Sequence, residues 1–340
     1  MTSFLCDYTD GAHPEVLKKL LETNGEKLPG YGEDRFCTEA KEKIADFCGG
    51  NVQVHLLTGG TQTNQVVISA LLQRHEAVVA AETGHINVHE AGAIEYTGHK
   101  VIALPAHNGC LDAGELEAYM ERFYADGTHE HMCFPALVYI SQPTELGTLY
   151  SKAQLEAISA VCRRFDMGLY IDGARLGYAL ASPANDAGIE DIVRLADVFY
   201  IGGTKLGAIC GEAVVFTKNN MPAHFATLTK QQGAMLAKGR LLGVQFSALF
   251  TDGLYLRIAE HAVKQAMKLK AAFLSRGYEL FIDSPTNQQF VILNDEQLKR
   301  LSAELAFSVW EPLPDGRTAV RFVTNWATTD EEIAQLEALI

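Results

Sequence analysis

An acidic residue and a basic residue each follow a short apolar run near the middle of the chain. Asp172 ends the run Leu169–Ile171, and Lys205 comes shortly after the run Val198–Ile201, behind two glycines and Thr204. A lysine amine can hold pyridoxal phosphate as a Schiff base, and a carboxylate can keep the pyridine nitrogen protonated so that the ring accepts electrons. The pair therefore predicts a pyridoxal-phosphate site, with Thr204 as a candidate donor to the phosphate, although either residue alone is equally typical of a turn or a surface position.

A glycine-rich turn upstream has the composition of a phosphate site. The segment Thr58–Gln62 lies between the predicted strand Val54–Leu57 and the helix-like run Val66–Leu72. Backbone amides at the start of a helix attract phosphate, so Gly60 and Thr61 are candidate ligands. The segment lacks the Lys-Ser/Thr pair of a P-loop, which argues against a nucleoside triphosphate; a glycine turn without any ligand is the alternative.

Histidine and arginine residues supply further candidates. His85 can stack on a pyridine ring and move protons near neutral pH, although a lone histidine is more often structural. His89 lies one helical turn further on, but no other metal ligand is evident in the sequence, and no metal is expected. Arg175 and Arg321 are candidates to bind a substrate carboxylate. Arg321 lies within an apolar strand pattern, where an unpaired charge is costly, so we expect either a functional anion or a buried ion pair beside it.

Short apolar runs alternate with helical patterns through the middle of the chain. The runs that predict strands are Val54–Leu57, Val101–Leu104, Ala136–Ile140, Leu169–Ile171 and Val198–Ile201. Ser151 and Gln154 predict a capping box that opens an amphipathic helix. This alternation predicts an α/β fold with a mainly parallel sheet covered on both faces. Ligands bind beyond the carboxyl ends of such strands, where Asp172 and Lys205 are expected to meet.

The pattern changes in the last third of the chain. A long amphipathic helix that stops near Gly277 is followed by short strand-like runs, and Thr329 with Glu332 predicts the start of a last helix. We therefore expect a large cofactor-binding domain over residues 1–245, including the N-terminal segment, and a small α+β domain over residues 246–340.

Composition narrows the classes of partner. The 340 residues have a formal net charge of -14, which argues against nucleic acid, because binding phosphates needs clustered Lys and Arg. No apolar run approaches the roughly 20 residues of a membrane span, and the first residues lack the pattern of a signal peptide, so no membrane partner is expected. The seven cysteines are scattered without a CxxC motif, which favours reduced thiols in the cytoplasm over a disulfide framework or a zinc site.

Several segments together resemble the sequence blocks of one enzyme family. These segments are Tyr31-Gly32-Glu33-Asp34, Gly60-Thr61-Gln62 with Asn64, His85 with Glu90-Ala91-Gly92-Ala93, Asp172-Gly173-Ala174-Arg175, and Lys205. They resemble the fold-type I pyridoxal-phosphate enzymes, and specifically the threonine aldolase/β-eliminating lyase family, over nearly the whole chain. The resemblance implies the aspartate aminotransferase-like fold, with a mainly parallel large domain and a smaller α+β C-terminal domain.

The resemblance also implies roles for individual residues. Lys205 would carry the cofactor, Asp172 would contact its pyridine nitrogen, and His85 would stack on its ring. The further residues expected at the cofactor are Gly60, Thr61, Arg175, Thr204, Lys230 and Lys238, the last two as candidates to reach the phosphate of a neighbouring subunit. The residues expected at the substrate are Asp7, Tyr31, Arg175 and Arg321. His131 matches a second histidine that the family uses in proton transfer, and a homodimer or homotetramer with active sites at subunit interfaces is implied.

The implied activity is cleavage of β-hydroxy-α-amino acids such as threonine and allo-threonine to glycine and an aldehyde. Typical threonine aldolases have Glu-Asn-Thr-His-Asn where this chain has Gln142-Pro143-Thr144-Glu145-Leu146, and a serine where it has Cys6 beside Asp7. They also have an arginine where it has Ala237 next to Lys238. β-Elimination and transamination use the same lysine and acid and stay open as alternatives. A binding module without catalysis is disfavoured by the presence of both Lys205 and Asp172.

Overall fold

The computed structural model describes residues 2–340, and a seven-stranded sheet forms its centre. In chain order the strands are β1 (Thr2–Ser3), β2 (Gln53–Leu57), β3 (Glu76–Ala81), β4 (Lys100–Leu104), β5 (Ala106–His107), β6 (Cys110–Leu111), β7 (Phe134–Ser141), β8 (Gly168–Asp172), β9 (Val198–Gly202), β10 (Glu212–Phe216), β11 (Leu280–Ile282), β12 (Gln288–Leu293), β13 (Leu305–Ala306), β14 (Ser308–Pro312) and β15 (Thr318–Val323).

The central sheet has the strand order β2-β10-β9-β8-β7-β3-β4. Strands β4, β3, β7, β8 and β9 pair in parallel, whereas β10 runs antiparallel to both β9 and β2. The inner strands are apolar on both faces, and every residue of β9 and β10 is buried. Near-continuous apolar strands of this kind are typical of a parallel sheet that is covered on both sides. The predicted α/β fold and its central strands are thus confirmed.

Helices cover both faces of the sheet and join its strands. In chain order they are α1 (Pro14–Thr23), α2 (Arg35–Phe47), α3 (Gly60–Leu71), α4 (His85–Val88), α5 (Ala93–Tyr96), α6 (Ala113–Ala125), α7 (Lys152–Arg164), α8 (Leu176–Leu180), α9 (Ile189–Leu195), α10 (Phe225–Gln231), α11 (Arg240–Leu249), α12 (Leu254–Ser275), α13 (Asp295–Glu304) and α14 (Asp330–Leu339), with a 3-10 turn at His129–His131. The capping boxes predicted at Ser151 and at Thr329 are both present, and they fix the starts of α7 and α14.

A second, antiparallel sheet in the order β11-β12-β15-β14 forms the C-terminal part. Its core includes Phe4, because β1 pairs in parallel with β13 and brings the N-terminal segment onto this part of the molecule. The division expected after residue 245 falls inside α11, which is buried against α2 in the large core. Long helix α12 then contributes its first half to the large core and its second half to the small one.

None of the helices within residues 2–340 is long and apolar enough to cross a membrane.

Candidate active site

Asp172, Lys205 and His85 come together at one edge of the central sheet, as the topology requires. Asp172 and Ser141 are paired at the carboxyl ends of β8 and β7, and Gly202 ends β9. Glu212 reaches the same edge because β10 runs in the opposite direction and starts opposite Gly202. A Cβ atom on Gly173 would lie only 1.8 Å from the carbonyl oxygen of Tyr200, so the segment after β8 approaches β9 closely only because this residue is glycine.

Asp172 is buried and is held by neutral donors. Its Oδ2 accepts hydrogen bonds from Tyr139 Oη at 2.5 Å and from Asn64 Nδ2 at 3.1 Å, and its Oδ1 accepts one from the amide of Ala174 at 2.9 Å. Burial alone would raise the pKa of this carboxyl, but hydrogen bonds from Tyr139 and Tyr200 lower it below its ordinary value. No described cation forms a salt bridge with it. The site therefore contains a fixed negative charge that forms no salt bridge within the described chain.

Lys205 is enclosed by the protein but keeps its amine free. Burial and the charge of Arg175 lower its pKa, and the carboxylates of Asp7, Asp172 and Glu212 offset only part of that effect. No side chain among residues 2–340 forms a hydrogen bond or an ion pair with its amine. A lysine with a lowered pKa has more of the neutral, nucleophilic form near neutral pH.

His85 lies at the start of α4 and is oriented by a buried carboxylate. Its Nδ1 is 2.8 Å from Glu90 Oε1, which also accepts a hydrogen bond from Asn64 Nδ2 at 2.8 Å. Burial would lower the pKa of His85, but the hydrogen bond to Glu90 and the charge of Asp172 raise it above its ordinary value. Asn64 bridges the two carboxylates, so one polar network holds both His85 and Asp172.

Two adjoining cavities share a wall at this edge. The inner cavity is the narrower one, and Asp172 lines it together with Gly60, Ser141 and Tyr200. The outer one has a volume of about 480 Å³, and its lining includes Trp310, Arg321, Tyr8 and His89. The residues that line both cavities are His85, Glu145, Arg175 and Lys205. A bound molecule can therefore extend from Asp172 to Arg321 past Lys205.

The two arginines have different surroundings. Arg175 forms a bidentate ion pair with the buried Asp7, with Nε–Oδ2 at 2.7 Å and Nη2–Oδ1 at 2.9 Å. Arg321 makes no ion pair among the described residues; its Nη1 donates to Gln288 Oε1 at 3.1 Å, and its buried Nε has no partner within residues 2–340. Its guanidinium lies 5.4 Å from the centre of the Trp310 ring, at the wall of the outer cavity. The sequence led us to expect either a functional anion or a buried ion pair beside Arg321. The structure shows no such ion pair among the described residues.

The glycine turn opens helix α3, as predicted. Gly59 occupies the N-cap position without a side-chain hydrogen bond from any described residue, and Gly60 lines the inner cavity. Thr61 is exposed in the first turn. Thr204 differs from expectation, because its Oγ1 donates to the buried Glu212 Oε1 at 2.7 Å and it lines neither cavity. Burial raises the pKa of Glu212 to about 8.

Two expected site residues lie elsewhere in this chain. His131 is exposed in the 3-10 turn that precedes β7, whereas Ser141 at the far end of β7 borders the inner cavity. An eight-residue strand is about 25 Å long, so His131 lies at the opposite edge of the sheet. Asp7 is also corrected as a substrate ligand: it lines neither cavity, and its carboxylate is occupied by Arg175 and Asn287.

Tyr31, Lys230 and Lys238 form a separate group. Lys230 Nζ lies 4.5 Å from the centre of the Tyr31 ring, and Tyr31 and Lys238 are exposed. None of the three lines the two cavities around Lys205. Their assignment to a neighbouring subunit's site stays a prediction.

Sequence reasoning missed several residues that the fold brings to the site. Glu145 and Trp310 line the cavities. Three further residues form hydrogen bonds with predicted site residues: Tyr139 with Asp172, Glu90 with His85, and Glu212 with Thr204. One signal was available: Glu145 falls in the segment where the chain departs from typical threonine aldolases. Another cavity, of about 710 Å³, lies near His13 and Trp326 and contains none of these residues. No three metal-ligating side chains come together within the part of the chain that the structure describes.

The donor set suits pyridoxal phosphate. The buried Asp172 carboxylate forms no salt bridge with a described residue and matches a protonated pyridine nitrogen. The free amine of Lys205 matches the cofactor's carbonyl carbon, and the uncapped start of α3 at Gly60 offers amides to a phosphate. The flat side chain of His85 stands in the wall between the two cavities.

Comparisons with known proteins agree with this geometry. The family model for β-eliminating lyases matches residues 5–296. A low-specificity L-threonine aldolase of Pseudomonas sp. (strain NCIMB 10558) is 29% identical over 98% of this chain and 96% of its own. The solved structure of a Leishmania major threonine aldolase is 41% identical, with a TM-score of 0.96 over 99% of this chain and 98% of that one. An aspartate aminotransferase of Thermus thermophilus shares the fold, with a TM-score of 0.69 at 14% identity over 99% of this chain and 90% of that one.

The Asp7–Arg175 pair predicts a pH-dependent loss of stability on substitution. Asp7→Asn leaves the buried guanidinium without its counterion, so we expect the free energy of unfolding to fall by about 3–5 kcal/mol near neutral pH. Arg175 lowers the folded-state pKa of Asp7 although burial opposes it. The stabilisation by this ion pair is therefore fully present above the pKa of Asp7 in the unfolded chain, about 3.9. It is lost as the pH falls through the lower pKa that Asp7 has in the folded protein.

The prediction is checked by denaturant unfolding of the wild-type protein and of Asp7→Asn, measured from neutral pH down to acidic pH. Asp315→Asn is the matched control, because Asp315 pairs with Arg317 at the exposed surface. A loss in Asp7→Asn no larger than in this control would contradict the expected role of the pair.

Proposed function

The chain belongs to the β-eliminating lyase family, and from that membership we propose that it is a low-specificity L-threonine aldolase that depends on pyridoxal phosphate. It cleaves β-hydroxy-α-amino acids to glycine and an aldehyde. The observation that carries the proposal is the shared wall of the two cavities: Lys205 lies between the carboxylate of Asp172 on one side and, on the other, the guanidinium of Arg321, which has no carboxylate partner among the described residues. This arrangement suits a cofactor and an amino acid bound end to end.

Pyridoxal phosphate supplies a carbonyl carbon for an amine and a ring that accepts electrons. Lys205 is the amine that holds it, and Asp172 keeps its ring nitrogen protonated. The amides at Gly60 and Thr61 bind its phosphate, and His85 lies against its ring. Asn64 fixes both Asp172 and the Glu90–His85 pair, so the residues that hold the cofactor are preorganised by one hydrogen-bond network.

The substrate carboxylate binds at Arg321. This guanidinium has a donor at Nε without a partner among the described residues, and it borders the outer cavity beside Trp310. Arg175 lines the same space, but two of its nitrogen atoms are occupied by Asp7. Arg175 therefore contributes positive charge, and at most one further nitrogen, to the substrate. Holding the carboxylate at Arg321 would fix the orientation of the substrate's Cα–Cβ bond relative to the cofactor that Lys205 would hold.

Assembly and cellular location form the remaining part of the proposal. The chain acts as a homodimer or homotetramer, with Tyr31, Lys230 and Lys238 presented to a neighbouring active site. Support comes from their position, since they are grouped away from the cavities of their own chain. The protein works in the cytoplasm, for which the seven free cysteines are the supporting observation.

A product assay tests the activity directly. The purified protein with added pyridoxal phosphate is expected to convert L-threonine and L-allo-threonine to glycine and acetaldehyde. Lys205→Ala is expected to lose both the visible absorbance of the bound cofactor and the reaction, because the amine that holds the cofactor is gone. Ammonia with a keto acid would indicate β-elimination, and conversion of the cofactor to its amine form would indicate transamination; either result without glycine would contradict the aldolase proposal.

Arg321→Lys tests the carboxylate site. Lysine keeps the charge but loses the planar, two-pronged donor, and a hydrogen bond to a charged group contributes about 1.5–3 kcal/mol, so KM for threonine should rise about 10-fold or more. Arg317→Lys is the matched control, because Arg317 lies near the same strand but pairs with Glu279 and Asp315 at the surface. Steady-state kinetics checks both variants, and equal KM values for Arg321→Lys and the control would refute the assignment.

A further inference from the structure

Glu145 is a carboxyl group at the centre of the site that the roles assigned above do not use. It comes after β7 and lines both the inner and the outer cavity. Its Oε1 accepts hydrogen bonds from Ser141 Oγ at 2.6 Å and from the amide of His85 at 2.9 Å. No residue among those described hydrogen-bonds its Oε2. One oxygen is thus fixed by the protein, and the other is left for whatever occupies the cavities.

The charged groups near Glu145 act on it in opposite directions. It forms no salt bridge with a residue of the described chain, and the carboxylate of Asp172 lies on the same edge of the sheet. Burial raises the pKa of Glu145, Ser141 and the charge of His85 oppose the rise, and Asp172 adds to it. A carboxyl whose pKa is shifted toward neutrality can both accept and release a proton during a reaction.

The other groups in the shared wall are poorly suited to accept a proton. Arg175 stays protonated, and Lys205 is committed to the cofactor. His85 already has its Nδ1 against Glu90, and its ring is assigned to the face of the cofactor. His131, the second histidine expected from the sequence, lies at the opposite edge of the sheet. Glu145 is therefore the group in the shared wall with a free acceptor atom.

Resting on the proposed aldolase function, we propose that the Glu145 carboxylate accepts the proton of the substrate's β-hydroxyl group. A substrate whose carboxylate is bound at Arg321 and whose amino group is at the Lys205 position has its Cβ substituents in the space that Glu145 borders. Glu145 stands where typical threonine aldolases have a histidine in the segment Gln142–Leu146. It is a catalytic residue in this role, because its Oε2 touches the reacting hydroxyl.

The proton transfer is coupled to cleavage of the carbon–carbon bond. The O–H bond of the β-hydroxyl breaks, and its proton passes to Glu145 Oε2. The oxygen forms a second bond to Cβ, which becomes the aldehyde carbon. The Cα–Cβ bond breaks, and its electron pair stays with the Cα fragment, which takes up a proton from solvent to become glycine, while Glu145 releases the hydroxyl proton to solvent. In the reverse direction, Glu145 returns its proton to the aldehyde oxygen, and a glycine Cα–H bond must break first.

Glu145→Gln separates proton transfer from structure. Glutamine has the same shape, and its amide oxygen can still accept from Ser141 and His85, but it cannot take up a proton. We expect kcat for threonine cleavage to fall about 10²- to 10⁴-fold, the usual range for loss of a general base, with KM changed little. Glycine has no β-hydroxyl, so exchange of its Cα hydrogen with deuterated water, followed by NMR, should continue in the variant at close to the wild-type rate.

Controls distinguish the possible failures. Glu130→Gln removes an exposed carboxylate at the opposite edge of the sheet and should leave both rates unchanged. The proposal is overturned if Glu145→Gln cleaves threonine within about 10-fold of wild type, a loss below the usual range for a general base. It is also overturned if glycine exchange and the cofactor's visible absorbance are lost together with cleavage, since that pattern indicates a structural role. Failure of the wild-type protein to form glycine and aldehyde would instead refute the aldolase function on which the proposal rests.

Discussion

The site depends on one buried carboxylate that is kept charged without a salt bridge. Asp172 ends β8 in the interior, where burial raises its pKa, but hydrogen bonds from Tyr139, Tyr200 and the amide of Ala174, together with the charge of His85, lower it below its ordinary value. Such a group is costly to bury unless its hydrogen bonds are complete or a positive ligand arrives. The surrounding residues supply those hydrogen bonds. The carboxylate of Asp172 also borders the inner cavity, where a ligand can contact it.

The other charged residues of the site are positioned by the hydrogen bonds of Asp172 or lie at the far side of Lys205. Asn64 ties Asp172 to Glu90, and Glu90 fixes His85, so the orientation of a ring-stacking side chain depends on the same network. On the other side of Lys205 the positive charges are unequal: Asp7 neutralises Arg175, whereas Arg321 has no carboxylate partner among the described residues. Charge is thus left uncompensated at the two ends of the space, which is where a ring nitrogen and an amino-acid carboxylate are proposed to bind.

The fold and the centre of the site could be predicted from the sequence because both depend on local pattern. Apolar runs indicated the strands, and the carboxyl ends of parallel strands lie at one edge of a sheet, so Asp172 and Lys205 were expected to meet. His131 shows the limit of matching by family resemblance, since its place before β7 puts it at the opposite edge. That error was avoidable from the predicted strand at Ala136–Ile140. The departure from the typical aldolase segment singled out Glu145, but its contact with His85 was not predictable, because it depends on how the turn after β7 packs against α4.

Two side-chain pairings at the site could not be predicted, because their partners are brought together by tertiary packing. Thr204 looked like a phosphate donor because it stands beside Lys205, but Glu212 comes from an antiparallel strand and takes its hydroxyl. Asp7 is separated from Arg175 by much of the chain, so their ion pair has no local signature. Such pairings are set by tertiary packing, and they determine which charges remain available to a ligand.

Chemical fixation of the bound cofactor tests the assignment of Lys205 most directly. Borohydride reduction of the protein loaded with pyridoxal phosphate attaches the cofactor permanently to the amine that holds it, and peptide mass spectrometry then identifies the modified residue. We expect modification of the peptide that contains Lys205, and loss of that modification in Lys205→Ala. Stoichiometric modification of Lys230, Lys238 or another lysine in its place would contradict the assignment of the site between Asp172 and Arg321.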